Sequence, residues 1–211
     1  MDPGQAKDAL LAAILPDVPF DGWTEAALAR AAERVGLEPA ELRGLCPGGV
    51  RDLVARFSHW ADRETMTALE ARDLSALKVR ERIAAGVQAR LCALAPHREA
   101  VRHSLALLTA PQNLALGARL LYDAVDAIWY AAGDDATDFN FYTKRALLAG
   151  VYAATTLYWL DDRSPDGADT LGFLDRRLRD ITAIPKARER VRDWASRLPD
   201  PFLLFRLARR R

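Results

Sequence analysis

Apolar residues return every third or fourth position along nearly the whole chain, the period of helices that each turn one side toward a core. Ala6–Leu15 makes a short amphipathic helix, ended by Pro16 and Pro19. Thr24 is placed to cap a second helix, Glu25–Val35, with Ala27 instead of an acid three residues on. Gly36-Leu37 turns the chain into Pro39–Leu45, which carries Pro in its first turn. Val50–Arg72 sets Leu53, Phe57, Trp60 and Ala61 on one side; Leu77–Ala95 repeats this with Val79, Ile83, Val87, Leu91 and Leu94 before Pro96 stops it. His97–Leu108 and Asn113–Ala132 follow on either side of Pro111, then a central run from Phe139 to Leu160, then a helix from Asp169 to Ile184 closed by Pro185. No alternating β-branched run or hairpin signal interrupts the series, so the fold class is all-α.

The central run organises the rest. All five Tyr lie between Tyr122 and Tyr158, and from Phe139 to Leu160 the only formal charges are Lys144 and Arg145. Gly133 closes the preceding helix, Thr137 or Asp138 caps this one, and the Asp161-Asp162 to Gly167 loop ends it. Its uncharged part, Ala146–Leu160, is shorter than the roughly 20 apolar residues of a membrane span. A helix apolar on nearly every side is either buried in protein or lines a cavity. Phe141, Arg145, Leu148, Tyr152, Thr155 and Trp159 recur on one face, with Tyr142 and Tyr158 near its edge. Ala146, Ala149, Gly150, Ala153 and Ala154 let helices approach closely or leave room.

Charge narrows the function classes. The chain of 211 residues carries a net +1, but Pro185–Arg211 has nine Lys or Arg against three acids; that +6 leaves −5 for residues 1–184. The N-terminal helix, Gly turn and short helix form a helix-turn-helix pattern. Over Phe20–Trp60, however, five Arg stand against six acids, and the candidate recognition helix opens with Glu38 and Glu41 and offers only Arg43. That argues against nucleic acid as a partner, because phosphate contacts need cations. His59, His97 and His103 lack the preceding Glu of a di-iron pair, and read as surface or cap residues. Asp134-Asp135 and Asp161-Asp162 sit at helix boundaries, where capping explains them, so no metal and no catalytic residue is assigned. Cys46 and Cys92 read as two buried free thiols of a reducing compartment. The N-terminus has neither a signal peptide nor an Arg/Ser-rich presequence, and the expected location is cytoplasmic, peripheral to the inner membrane.

Trp129-Tyr130-Ala131-Ala132-Gly133-Asp134, Thr137-Asp138-Phe139-Asn140-Phe141-Tyr142-Thr143-Lys144-Arg145, Asp169-Thr170 and Phe173-Leu174-Asp175-Arg176-Arg177 together carry a family resemblance. They resemble the ubiquinone-biosynthesis accessory family called coenzyme Q protein nine, strongly across 122–180 and more weakly, but colinearly, from Leu10 onward. The chain departs from the pattern at Phe141, where Trp is usual, and at Ala153-Ala154, where hydroxyl residues are common.

The resemblance implies a TetR-like multi-helix bundle that binds an isoprenoid quinone lipid and acts as an accessory protein without cofactor. Its expected divisions are a helix-turn-helix-like module at 1–48, a lipid-binding body at 49–184 and a basic amphipathic membrane segment at 185–211. The lipid-binding candidates are Phe141, Tyr142, Arg145, Leu148, Tyr152, Thr155 and Trp159. The family's hydroxylase-docking surface corresponds to Trp129 and Tyr130, with Asp126 beside them, and implies a di-iron demethoxyubiquinone hydroxylase as partner. Spacing alone leaves those aromatics as either core or contact. At the C-terminus Ala187, Val191, Trp194, Ala195 and Leu198 form an apolar stripe against a basic face, with Phe202 and Phe205 beyond. Such a helix lies on an anionic membrane surface, folds back on the core or pairs in a homodimer. A TetR-type ligand-sensing regulator is the alternative reading, and a helical scaffold without ligand a third.

Overall fold

The computed structural model describes residues 2–133 and 140–181. Among them the chain is helical without a strand: α1 (Pro3–Ile14), α2 (Val18–Asp21), α3 (Glu25–Arg34), α4 (Pro39–Leu45), α5 (Val50–Glu70), α6 (Val79–Leu94), α7 (Arg98–Leu108), α8 (Leu114–Ala131) and α9 (Asn140–Asp161). A further helical stretch, α10, occupies 168–181. Short 3₁₀ turns at Ala95–His97, Pro111–Asn113 and Pro165–Gly167 join successive helices where Pro forbids their continuation.

Local chemistry sets the helix starts. Asp2 accepts from the Gly4 N–H at 3.1 Å ahead of Pro3, and Thr24 Oγ1 accepts from the Ala27 N–H at 3.2 Å. Glu41 and Glu81 reach back to the Glu38 and Lys78 N–H groups at 2.9 and 2.8 Å, opening α4 and α6. Gly133, with φ of 79°, ends α8 in a conformation an L side chain resists. The turn α2 is absent from the sequence reading because Pro19 reads as a breaker, yet it lies in that helix's first turn, where no N–H is needed.

Helices α1, α3 and α4 pack on one another, and α1 continues onto α5; α5, α6, α8 and α9 make the main bundle, with α7 laid between α2 and α8. One hydrophobic cluster runs unbroken from Leu10 and Ile14 through Leu53, Phe57 and Val87 to Ile128, Leu148 and Leu178. Trp23 ties the N-terminal module to the body by donating from Nε1 to the Ala100 carbonyl at 3.1 Å. Helices α6 and α8 cross closely at Gly86, where an added Cβ would stand 2.8 Å from Ile128 Cγ2.

Two expectations need correction. Helix α9 is not enclosed on all sides: Thr143, Ala146, Gly150 and Leu157 are exposed along one strip, Leu157 by 59%, because no described helix covers that side. Of the two cysteines only Cys46 is buried; Cys92 faces outward from α6. The caps at Thr137 or Asp138 lie outside the described residues. So do the membrane candidates Val191, Trp194, Leu198, Phe202 and Phe205, and the side chains of Phe141 and Tyr142.

Candidate functional site

A cavity of about 450 Å³ opens between α5, α6, α7, α8 and α9. Its walls are overwhelmingly aliphatic, with Leu94, Val101, Leu105, Leu108, Leu120 and Leu121 on three helices. Its size falls within the roughly 300–1,000 Å³ range of small-molecule sites, which are mostly apolar with a few fixed polar groups. The mouth is marked by Leu114 and Leu157, 54% and 59% exposed, while the far end is closed by buried Val54 and Phe57.

That closed end is where the polar chemistry sits. Arg90, only 4% exposed, donates from Nε to Tyr152 Oη at 2.7 Å, from Nη1 to the Asp62 carboxylate, and from Nη2 to Ser58 Oγ at 3.0 Å. Desolvation pulls on the guanidinium, but Tyr152 and Asp62 outweigh it and hold Arg90 firmly cationic. Burial pushes the Asp62 carboxyl above its ordinary range against the attraction of Arg90. A buried guanidinium is tolerable only when its N–H groups are satisfied in this way. The sequence does signal it: Arg90 stands at i+7 in the apolar stripe that begins at Ile83, a core position where a charge demands partners.

The expected lipid-binding residues are not gathered at this cavity. Tyr152 lines it, alongside Ala153, Thr156 and Leu157 of the same helix. Leu148, Thr155 and Trp159 are buried in the helix packing and do not line it. Arg145 is 5% exposed and pairs with Asp126, Nε to Oδ1, at 2.6 Å, tying α9 to α8. Trp159 lies under Arg98, whose guanidinium carbon is 4.6 Å from the ring centroid. Arg98 and Arg102 also donate to the Asp162 and Leu160 carbonyls at 2.8 and 2.9 Å, placing cations on the C-terminus of α9.

The docking candidates separate. Trp129 is 7% exposed, belongs to the core and has Lys144 Nζ 5.6 Å from its ring; its Nε1 is buried and meets no hydrogen-bond acceptor among the described residues. Tyr130, one residue later, is 72% exposed, and the Asp126 side chain is partly exposed. Consecutive helical residues point about 100° apart, so both could not face the same way.

Asp134 and Asp135 lie outside the described residues; Asp162 and His97 are structural. Asp162 accepts from the N–H groups of Ser164 and Thr170 at 2.7 and 2.9 Å and from the Thr170 hydroxyl, which join α9 to α10 and hold its carboxyl far below the ordinary range. His97 stands edge-on to Phe57 and Trp60, and its burial lowers its pKa. No grouping of His, Cys, Asp and Glu fit for a metal occurs among the described residues. None of the described helices is long and apolar enough to cross a membrane.

In overall architecture this is a TetR-like all-helical protein. The structure of a TetR transcriptional regulator from Nitrosomonas europaea superposes with a TM-score of 0.66, at 20% identity over 82% of this chain and 95% of that one. Within that class the relationship is specific: residues 114–185 match the COQ9 family model. The ubiquinone biosynthesis protein COQ9 of Rattus norvegicus, a mitochondrial protein, is 34% identical over 201 residues, covering 92% of this chain and 64% of its own length. The Homo sapiens protein is 32% identical over 200 residues, covering 92% and 63%. The chain is a relative of the COQ9 proteins and spans just under two thirds of the length of these two.

Proposed function

We propose that this chain is an accessory protein of ubiquinone biosynthesis that binds a polyprenyl quinone intermediate and presents it to a di-iron ring hydroxylase at a membrane. The observation that carries the reading is the aliphatic cavity with one exposed mouth and one closed polar end. Kinship with the COQ9 proteins supports the pathway. Tyr130 and Asp126 are the proposed contacts of the hydroxylase, with Trp129 supporting them from the core. Membrane contact through the basic segment after Pro185, and a homodimer, belong to the same reading.

Regulation of transcription has less support. The likeness to a TetR regulator is one of fold, and α4 presents Glu38 and Glu41 at its exposed start. Mass spectrometry of an organic extract from the purified protein tests the proposal. Isoprenoid lipid is expected in the native extract and should fall away in Ala153→Trp, which fills the cavity wall, while circular dichroism stays helical. Gly150 is not the site for that substitution, since it is exposed and an added Cβ there meets nothing. A clean native extract, together with no quinone binding in titration, refutes the reading.

A further inference from the structure

Resting on the proposed lipid binding, we propose that Arg90 and Tyr152 form a polar stop that selects ligands by an acceptor oxygen on the ring, seated head-first at the closed end. The argument begins with donor counting. A guanidinium has five N–H groups and no acceptor. Arg90 directs one to Tyr152, one to Asp62, and two from Nη2 to the Ser58 hydroxyl and carbonyl, at 3.0 and 3.4 Å. The fifth meets no described residue. Tyr152 Oη accepts from Arg90, so its own proton points elsewhere, and it too donates to no described group.

Two donors are therefore left on Arg90 and Tyr152, which both line a cavity that otherwise offers almost nothing but carbon. A hydroxyl that accepts from a cation is itself polarised into a better donor, and low dielectric strengthens the bond it gives. The Asp62 carboxylate is occupied on its near oxygen by Arg90 and balances the charge, so the site does not call for an anionic headgroup. What fits is a neutral acceptor: a quinone carbonyl or a phenolic or methoxy oxygen. A plain hydrocarbon would leave both donors dry, and a site built around such donors rejects the analogue lacking the oxygen.

The placement also sets direction. Val54 and Phe57 close the polar end, whereas Leu108, Thr109, Leu114 and Leu157 surround the open one. The ring goes in first and the isoprenoid chain trails toward the mouth, so this is a holding state from which the ring must withdraw before it is presented to the hydroxylase.

Equilibrium dialysis against a decyl-substituted benzoquinone and against decylbenzene, matched in ring and chain, tests this. The native protein should prefer the quinone by about tenfold, the effect of one good hydrogen bond. Tyr152→Phe should bring the two affinities within about threefold, the quinone losing a partner and decylbenzene no longer leaving a hydroxyl dry. The infrared carbonyl stretch of the bound quinone should move to lower wavenumber in the native protein, a reading that does not depend on the variant folding. Equal affinities in the native protein, an unshifted carbonyl, or a full preference surviving in Tyr152→Phe each overturn the polar stop and leave lipid binding intact. Failure of both ligands to bind removes the proposed function as well.

Discussion

Replacing Arg90 by Met would expose how much of the fold is committed to the polar end of the cavity. Arg90 is 4% exposed and the Asp62 side chain 16%, so the substitution strands a carboxylate away from water and strips Tyr152 and Ser58 of their donor. Removing one partner of a buried pair costs about 3–5 kcal/mol. That is a large share of the roughly 5–15 kcal/mol that holds a domain folded. The loss must depend on pH. The Asp62 carboxyl is already raised above 3.8 with Arg90 in place, and without the cation it rises further. A carboxyl raised in the folded state favours folding while protonated, and that contribution is lost as pH rises from 3.8 through the folded value. In Arg90→Met the window extends upward, so the deficit should be smaller near pH 4.5 than at pH 8, where it reaches about 3–5 kcal/mol. Urea denaturation at the two pH values measures it, and Arg90→Met with Asp62→Leu should recover most of the loss. A deficit under about 1 kcal/mol at pH 8, no dependence on pH, or no recovery in the double variant would refute the reasoning.

Trp129→Ala should lose about 3–5 kcal/mol and Tyr130→Ala under about 0.5, since one ring is in the core and the other in solvent; the same two variants in a pull-down with the proposed hydroxylase partner should show Tyr130→Ala failing to associate while still folded. A Tyr130→Ala protein that binds normally would remove that residue from the docking surface. For Asp162, whose carboxyl is depressed, the stabilisation is present above pH 3.8 and lost as pH falls below it. Asp162→Asn should therefore be less stable than the native protein at pH 7, with a shallower fall in urea midpoint between pH 5 and pH 3; parallel curves would count against it.

Where periodicity is strong, the sequence and the structure agree closely. Thr24, the Glu41 reach to Glu38, and the ends of α5 and α6 depend on residues within one turn of each other. The Gly133 stop is equally local. What local pattern leaves open is the rotation of a helix that is apolar all round. Helix α9 shows two aromatic-bearing faces, and the stripe of Leu148, Thr155 and Trp159 read as a pocket lining is in fact the side packed into the bundle. The cavity meets α9 along Tyr152, Ala153, Thr156 and Leu157, one residue and about 100° further round. Tyr152 belongs to both sets because it sits at their boundary.

The residues that give the cavity its chemistry were hidden for a different reason. Arg90 meets Tyr152 across 62 positions of sequence and Asp62 across 28, so no spacing rule links them. Yet the apolar stripe of α6 contains its own contradiction, since Ile83, Val87, Leu91 and Leu94 require the Arg90 position to be buried. A guanidinium there is expensive unless it is paired, and replacing both Arg90 and Asp62 by apolar residues would have been simpler for stability alone. Both Arg90 and Tyr152 line the greasy cavity, and the proposed polar stop would give that cost a reason: the charge holds a hydroxyl in position where a wholly hydrocarbon core could offer none.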